Sequence, residues 1–464
     1  MYTPVDDVGQ DRITTRWVIS SKEKEGVTAT KARLCARGFQ EPHDFRTDAP
    51  TCARETTRLT FITVAAHNWD LFRIDIKTAF LQGKEIERTV FLLPPPEAKT
   101  KKLWQLRKCV YGLADAPREF YNRLRGELES LEATTSSLDQ GLFTWKNNDN
   151  QQGIAICHVD DILFGGDPEF HNTVITPLES TFSIGTRNAN CFTYIGMNIK
   201  QSDNKAIEVN QHSYAATIQL LNFDSHKPDH SPLLPSERSE FRSIVGQLNW
   251  LAGITRPDLS FDVCQLSVVA KESTISDAKL LNKVVKRARN DRIVISYPPL
   301  KLDRLKIRCF SDASYANLSN GGSQGGNVIF LTDGKRAAPL QWGSNRIKRV
   351  ARSTLAAETL SLISCCDNAV YLKTLVESTL QLTMSSPIEC FVDNKSLSDN
   401  IHSTKPAIEQ RLRVDIAAIR EMVGRKQVTV TWKGKSLQLA DSLTKRGAST
   451  QQLIECLQTG TLPF

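Results

Sequence analysis

No apolar run in this 464-residue chain approaches the roughly 18 residues of a helix that spans a bilayer. A helical membrane anchor is therefore excluded within it, and no membrane partner is expected. The opening stretch "MYTPVDDVGQDR" lacks the basic-then-apolar order of a secretory signal, so an intracellular protein is expected. No C-x-x-C pair occurs, and the 11 cysteines are odd in number and irregularly spaced, which argues against a disulfide framework. Cys365 and Cys366 are adjacent, too close for a zinc knuckle. Mostly buried, reduced thiols are the expectation. Internal repeats and low-complexity tracts are also missing, as is a strong charge bias. Lys+Arg number 59 against 51 Asp+Glu, a formal +8, which is compatible with a nucleic-acid partner without demanding one. What remains is a globular composition, 40% hydrophobic and 24% charged, at a length that suggests roughly three domains.

The pattern divides the chain into three segments. Residues 1–168 begin with the basic "KARLCARGFQEP" and continue with "LFRIDIKTAFLQG", an apolar strand with an acid near its end. The stretch "ADAPREFYNRLRGELESLEA" reads as a helix, because Phe120, Leu124, Leu128 and Leu131 recur at helical spacing and Pro117 suits a first turn. Then comes "AICHVDDILFGG", two short strands with Asp160-Asp161 at their tip. Residues 169–300 hold "FTYIGMNI", a Pro-bearing loop, the helical "FRSIVGQLNWLAGITRPDLSFDVCQLS" and an amphipathic "AKLLNKVVKRARNDR". The charge on the last is either a solvated face or a positive surface with a partner. Residues 301–464 alternate strands ("LKIRCFSDASYA", "GGNVIFL", "IECFVD") with the long helix "STLAAETLSLISCCDNAVYLKTLVES", the pattern of an α/β domain.

Carboxylates mark both ends of the chain. Asp75 ends one expected strand, and Asp160-Asp161 caps a hairpin. A polar turn is one reading of that pair, since Asp is a common turn residue. The other is that the strands share a sheet and bring three acids to one edge, where like charges repel unless cations neutralise them. Hard oxygen donors of this kind suit Mg²⁺. In the third segment Asp312 and Asp393 each close a strand, and Asp441 begins a helical "ADSLTK". Glu358 shares the apolar helix face of Leu355 and Leu362. A carboxylate there must be paired, protonated or metal-bound; a buried salt bridge and a metal site both satisfy the pattern.

The motifs "KARLCARGF", "RIDIKTAFLQG", "CVYGLADAPREFY", "HVDDILFGG", "VGQLNWLAGITRPDLSF", "SDASYA", "STLAAETLSL", "VDNKS" and "LADSLTK" stand in one order. Together they resemble the reverse transcriptase and ribonuclease H portion of copia-type (Pseudoviridae-like) LTR retrotransposon Pol polyproteins, from about Trp17 to Leu457. The resemblance implies an α+β polymerase palm with fingers and thumb, a right-hand reverse transcriptase, followed by an α/β ribonuclease H-like domain. It implies fingers and palm over 1–168, palm completion and thumb or connection over 169–300, and the ribonuclease H-like domain over 301–464. Asp75, Asp160 and Asp161 would be the polymerase acids. Asp312, Glu358, Asp393 and Asp441 would be the nuclease quartet, with two Mg²⁺ ions per centre and Mn²⁺ as a substitute. Arg37, with Lys31 and Arg33, matches the residues that neutralise a triphosphate; solvated surface charge is the alternative for the last two. Phe80 matches an aromatic that excludes a ribonucleotide 2′-hydroxyl, or else is an ordinary core residue. "FTYIGMNI" matches a hairpin near the primer end. The implied partners are an RNA template, a DNA primer, the RNA–DNA hybrid and dNTPs, in cytoplasmic particles or the nucleus. His158 stands where the family commonly has Tyr. Asp115 stands where many relatives carry an amide-bearing "GLKQAP", which puts that contact in doubt. No stretch resembles gag, protease or integrase.

Overall fold

A computed structural model describes residues 1–24, 27–42, 44–407 and 409–464, with backbone alone at 22–24 and 27–29. Its contacts form two units, Met1–Ala53 with Phe72–Asn188, and Arg54–Leu71 with Ala189–Phe464.

The first unit holds two sheets. A five-stranded sheet runs in the order Tyr2–Val5, Leu103–Leu106, Phe91–Leu93, Ile13–Lys24, Val27–Ala36. The last two form a long antiparallel hairpin that carries Lys31 and Arg33. The six-stranded sheet contains β1 (Phe72–Ile76), β2 (Gln152–His158), β3 (Asp161–Gly166) and β4 (Ile184–Ala189) in the order β4-β1-β3-β2, continued by Leu142–Lys146 and Thr134–Thr135. Alternation along β1 sends Ile74 and Ile76 into the core and leaves Arg73 and Asp75 on the other face. Helix α1 (Ala116–Ser130) starts with Pro117 in its first turn, where the missing N–H costs nothing. Its Phe120, Leu124 and Leu128 pack with Ile74, Ile162 and Phe164 in one core.

In the second unit "FTYIGMNI" is a hairpin, Cys191–Tyr194 paired with Met197–Gln201. Its two-residue turn has positive φ at both Ile195 (41°) and Gly196 (82°), the signature of a type I′ turn. Helices Pro235–Ile254, Ser260–Val269 and Ile275–Asn290 share an apolar core. The sequence "NWLAGITRPDLSF" thus breaks into two helices. Pro257 clashes with a helical residue before it, and Arg256 sits at φ −125°, ψ 63°. The buried Arg256 forks onto both oxygens of Asp258 at 2.8 and 2.9 Å.

The C-terminal sheet comprises β5 (Lys306–Ser314), β6 (Gln324–Thr332), β7 (Ala337–Arg346), β8 (Ile388–Val392) and β9 (Val428–Trp432), ordered β7-β6-β5-β8-β9. The first three form an antiparallel meander, while β8 joins β5 in parallel and β9 joins β8 in parallel. Such a parallel return needs a crossover, and α2 (Thr354–Leu380) supplies it, lying on β5 and β6. This is the α/β arrangement expected for the C-terminal segment.

The sequence segments break at 168 and 300, but the contacts divide the chain elsewhere. Strand β4 extends the first unit's sheet past 168. Ile295–Tyr297 pairs with Ile207–Asn210 and also packs against β7, so the middle segment is joined to the C-terminal one within the second unit. The helix Arg54–Ala66 belongs to that unit too. There the buried Arg58 lies 3.6 Å from the centre of the Trp342 ring and donates to the Leu340 carbonyl at 3.0 Å.

Candidate active site

Two carboxylate clusters stand at strand ends, one in each unit. In the first, β3 pairs antiparallel with both β1 and β2. Asp75 lies directly across from Asp161, so their side chains share a face. His158 is the partner of Asp161 on the other side, leaving Val159-Asp160 as a two-residue turn. Such tight turns need positive φ at their first position, and Val159 takes it at 58°. For a β-branched residue this is a strained conformation, costing about 1–3 kcal/mol. The turn is fastened to β1 because the Ile76 N–H donates to the Asp160 carbonyl at 2.9 Å. On the far edge, a Cβ on Gly185 of β4 would stand 2.4 Å from Asp75 Oδ2, so any larger residue there would displace that carboxylate.

Burial raises the carboxyl of Asp160 above its usual range, and the neighbouring Asp75 adds to the effect. Burial raises Asp161 as well, against the opposing pull of Arg73. Arg73 Nε and Nη2 both donate to Asp161 Oδ1, at 2.9 and 2.5 Å. The three acids border a cavity of about 960 Å³, entirely within the first unit, that is also lined by Lys31, Arg33, Phe80 and Tyr111. The Phe80 and Tyr111 rings are 5.2 Å apart, and Arg33 lies 5.8 Å from the Tyr111 ring centre. Arg37 is elsewhere: it comes just after the strand Val27–Ala36, is exposed, and does not line this cavity. Asp115 is also elsewhere, buried and engaged with Arg88 at 2.5 Å, while Arg88 reaches Glu41 as well. An amide there would forfeit that ion pair, which gives the departure at Asp115 a structural cause.

The second cluster is tighter. Asp312 near the end of β5, Asp393 just past β8, and Asp441 at the start of a 3₁₀ turn, Asp441–Leu443, place oxygens within 4.8 Å of one another. The expected helix at "ADSLTK" is only that single turn. Among the described residues this is the group of three that closes so tightly; Asp75, Asp160 and Asp161 do not. Glu358, in the second turn of α2, is only 4% exposed. Its Oε2 is buried without a hydrogen-bond partner. Burial, then Asp312 and Asp393, push its carboxyl up to about 9. Asp312 is pushed up to about 6 by burial, with the Thr444 hydroxyl, donating to Oδ2 at 2.5 Å, working in the opposite direction. Burial, followed by Asp441, raises Asp393. Among the described residues the cation that answers these acids is Lys445, whose Nζ lies 2.5 Å from Asp441 Oδ1. A single ammonium does not balance four carboxylates, and an orphaned, dehydrated oxygen is what a metal ligand looks like before the metal arrives. This donor set fits a hard divalent cation.

Sequence reading passed over Arg73, Tyr111, Gly185, Thr444 and Lys445. Two of these had a readable signal: Arg73 is two residues from Asp75 on one strand, and Lys445 is four from Asp441.

Comparison with known proteins agrees with this architecture. The family model "Reverse transcriptase (RNA-dependent DNA polymerase)" matches residues 2–235. The retrovirus-related Pol polyprotein from transposon RE1 of Arabidopsis thaliana is 27% identical over 469 residues, covering 93% of this chain and 30% of the relative. That from transposon TNT 1-94 of Nicotiana tabacum is 24% identical over 475 residues, covering 94% and 35%. The chain therefore spans about a third of the length of these relatives. Among solved structures, a foamy viral protease–reverse transcriptase in complex with double-stranded DNA superposes with a TM-score of 0.52 at 12% identity, covering 89% of this chain and 64% of that one. That likeness is one of fold. With more than half of its length matched by the family model, the chain belongs to the reverse transcriptase (RNA-dependent DNA polymerase) family, and its relatives are copia-type retrotransposon Pol polyproteins.

Proposed function

We propose that this chain is an RNA-directed DNA polymerase that also cleaves the RNA strand of RNA–DNA hybrids. The observation that carries the reading is Asp75 across from Asp161, with Asp160 at the adjoining turn, on a cavity lined by Lys31 and Arg33. Carboxylates beside cations suit a nucleoside triphosphate, whose phosphates would meet Lys31 and Arg33. Arg37, exposed just past the same strand and outside the cavity lining, would be a further cation for the triphosphate. Phe80, backed by Tyr111, would lie against the sugar and exclude a 2′-hydroxyl. A primer 3′-hydroxyl would attack the α-phosphate of a dNTP and release pyrophosphate.

Mg²⁺, when bound at either centre, would neutralise charge on the phosphate oxygens and lower the pKa of an attacking hydroxyl or water. In the first unit Asp75 and Asp160 would hold it, with Asp161 beside them. In the second, Asp312, Glu358, Asp393 and Asp441 would hold it, with two ions per centre as the expectation. There the chain's own residues fix the geometry: Thr444 orients Asp312 and Lys445 tethers Asp441. Hybrid cleavage at this centre would remove a template already copied at the other, which gives one chain a use for both. The duplex would be gripped through its phosphates, so binding should weaken as salt rises.

Primer extension on a primed RNA template with Mg²⁺ and dNTPs tests the first activity, and release from a labelled RNA–DNA hybrid tests the second. Asp160→Asn should abolish extension and spare cleavage, while Asp312→Asn should do the reverse. A folded wild type that binds hybrid but neither extends nor cleaves would refute the reading.

A further inference from the structure

We propose that Arg73 withdraws Asp161 from metal binding, so that Asp75 and Asp160 are the only carboxylates a cation meets in the first unit's centre. The inference rests on the polymerase reading of that centre and goes beyond it by assigning the ligand set.

Geometry motivates it. Asp75 and Asp161 are cross-strand partners, so a shared ion between them would be the default expectation for two carboxylates facing one way. Yet among the described residues the oxygens of Asp75, Asp160 and Asp161 do not all come within 4.8 Å of one another, whereas those of Asp312, Asp393 and Asp441 do. A cause is visible on the strand itself. Arg73 is two residues before Asp75, on the same face, and its cross-strand partner is Leu163 rather than Asp161. Its backbone therefore lies one diagonal step further from the turn than that of the residue it binds. Both donors converge on a single oxygen, Oδ1, at 2.9 and 2.5 Å, so that oxygen is already committed to the guanidinium.

Chemistry reinforces the geometry. Arg73 and Asp161 side chains are 19% and 17% exposed, so water screens their attraction less than at the surface. A guanidinium is always charged and cannot be titrated away. A metal ion approaching the remaining oxygen of Asp161 meets a carboxylate already neutralised and a fixed positive charge behind it. Among the described residues no guanidinium or ammonium pairs with Asp75, which faces Gly185, whose missing side chain leaves room for its Oδ2. Arg73 is thus a positioning residue: it acts on the metal site through Asp161 and does not touch the reacting atoms.

The test is Mn²⁺ binding to the full chain, read by electron paramagnetic resonance of free Mn²⁺. Asp312→Asn and Asp393→Asn are present throughout to silence the second cluster. Asp161→Asn should leave Mn²⁺ affinity within about twofold, whereas Asp160→Asn should lower it about tenfold or more. Arg73→Gln should raise affinity about tenfold by releasing Asp161, and Asp161→Asn added to Arg73→Gln should cancel that gain. Arg73→Lys keeps the charge without the fork and should fall between, which preserves the test if Arg73→Gln fails to fold. Half-saturating Mg²⁺ for primer extension should shift in parallel. Equal losses of Mn²⁺ affinity in Asp160→Asn and Asp161→Asn would overturn the proposal, as would an unchanged affinity in folded Arg73→Gln. The predicted Mn²⁺ pattern in a protein that extends no primer would support the ligand assignment and refute the polymerase reading alone.

Discussion

Glu358→Gln in metal-free protein should abolish most of the pH dependence of the second unit's stability. The side chain is 4% exposed, one oxygen lacks a partner, and its carboxyl is pushed from 4.5 up to about 9 by burial and by Asp312 and Asp393. A carboxyl whose folded pKa is raised takes up a proton on folding. Its stabilising contribution is complete below the unfolded value of 4.5 and is lost as pH climbs toward 9. Each pH unit in that window costs up to about 1.36 kcal/mol, so raising pH from 5 to 8 should cost the wild type about 4 kcal/mol through this group. Glutamine has the same shape as the protonated acid and no charge to bury. In EDTA, the variant and wild type should therefore melt together near pH 5 and separate by about 6 °C near pH 8, with the variant higher. Asp312, raised to about 6, remains in both proteins and leaves a shared slope at lower pH. Calorimetric melts across this range, with and without Mg²⁺, provide the assay. Added Mg²⁺ should close the gap at pH 8 by stabilising the wild type more than the variant. Parallel wild-type and variant curves in EDTA would refute the reasoning, because they would mean that Glu358 is charged and compensated without metal.

Gly185→Ala puts a Cβ 2.4 Å from Asp75 Oδ2 and 3.2 Å from its backbone carbonyl. Primer extension should fall about tenfold or more, since small displacements of a reacting constellation are costly, while the melting temperature stays close to wild type. Phe80→Val should open the sugar side of the cavity and raise ribonucleotide incorporation relative to dNTPs by about tenfold, near 1.4 kcal/mol of discrimination; equal selectivity in single-nucleotide assays would show Phe80 to be packing alone. Arg58→Ala removes a guanidinium 3.6 Å from the Trp342 ring centre and strands the Leu340 and Gly253 carbonyls. Urea unfolding of the second unit should show a loss of about 3 kcal/mol.

Long periodic elements were legible because burial imposes its period on the sequence. Phe120, Leu124 and Leu128 read as one helix face and do line the first unit's core. The basic helix Ile275–Asn290 buries Leu281, Val284 and Val285 as its pattern suggests, with Leu280 half-buried at the edge. Where local chemistry competed with the period, the reading missed. Pro257 splits what looks like one helix, and "ADSLTK" has too few residues beyond Asp441 to nucleate more than a 3₁₀ turn. Grouping into units was least legible of all. Arg54–Ala66 carries no mark saying that Arg58 will stack on Trp342, 284 positions later, because a long-range contact leaves no local period.

The acids themselves were visible because strand ends bring side chains to a sheet edge, whatever the rest of the chain does. Their counter-charges were not, although both lie close in sequence. Arg73 shares a face with Asp75 by the period of two, yet it bonds Asp161, which is remote in sequence and adjacent only through the register of β1 with β3. Lys445 is one turn from Asp441, a spacing equally common in ordinary surface pairs, and gains meaning only because three other carboxylates crowd the same place. Charge balance at a site is a property of the assembled cluster, whereas the propensity to donate a ligand belongs to the residue. A sequence can therefore nominate ligands one at a time, but which nominee is left free for a cation depends on the register that decides which guanidinium or ammonium arrives first. At the first centre that register gives Arg73 to Asp161, while all three acids border the cavity.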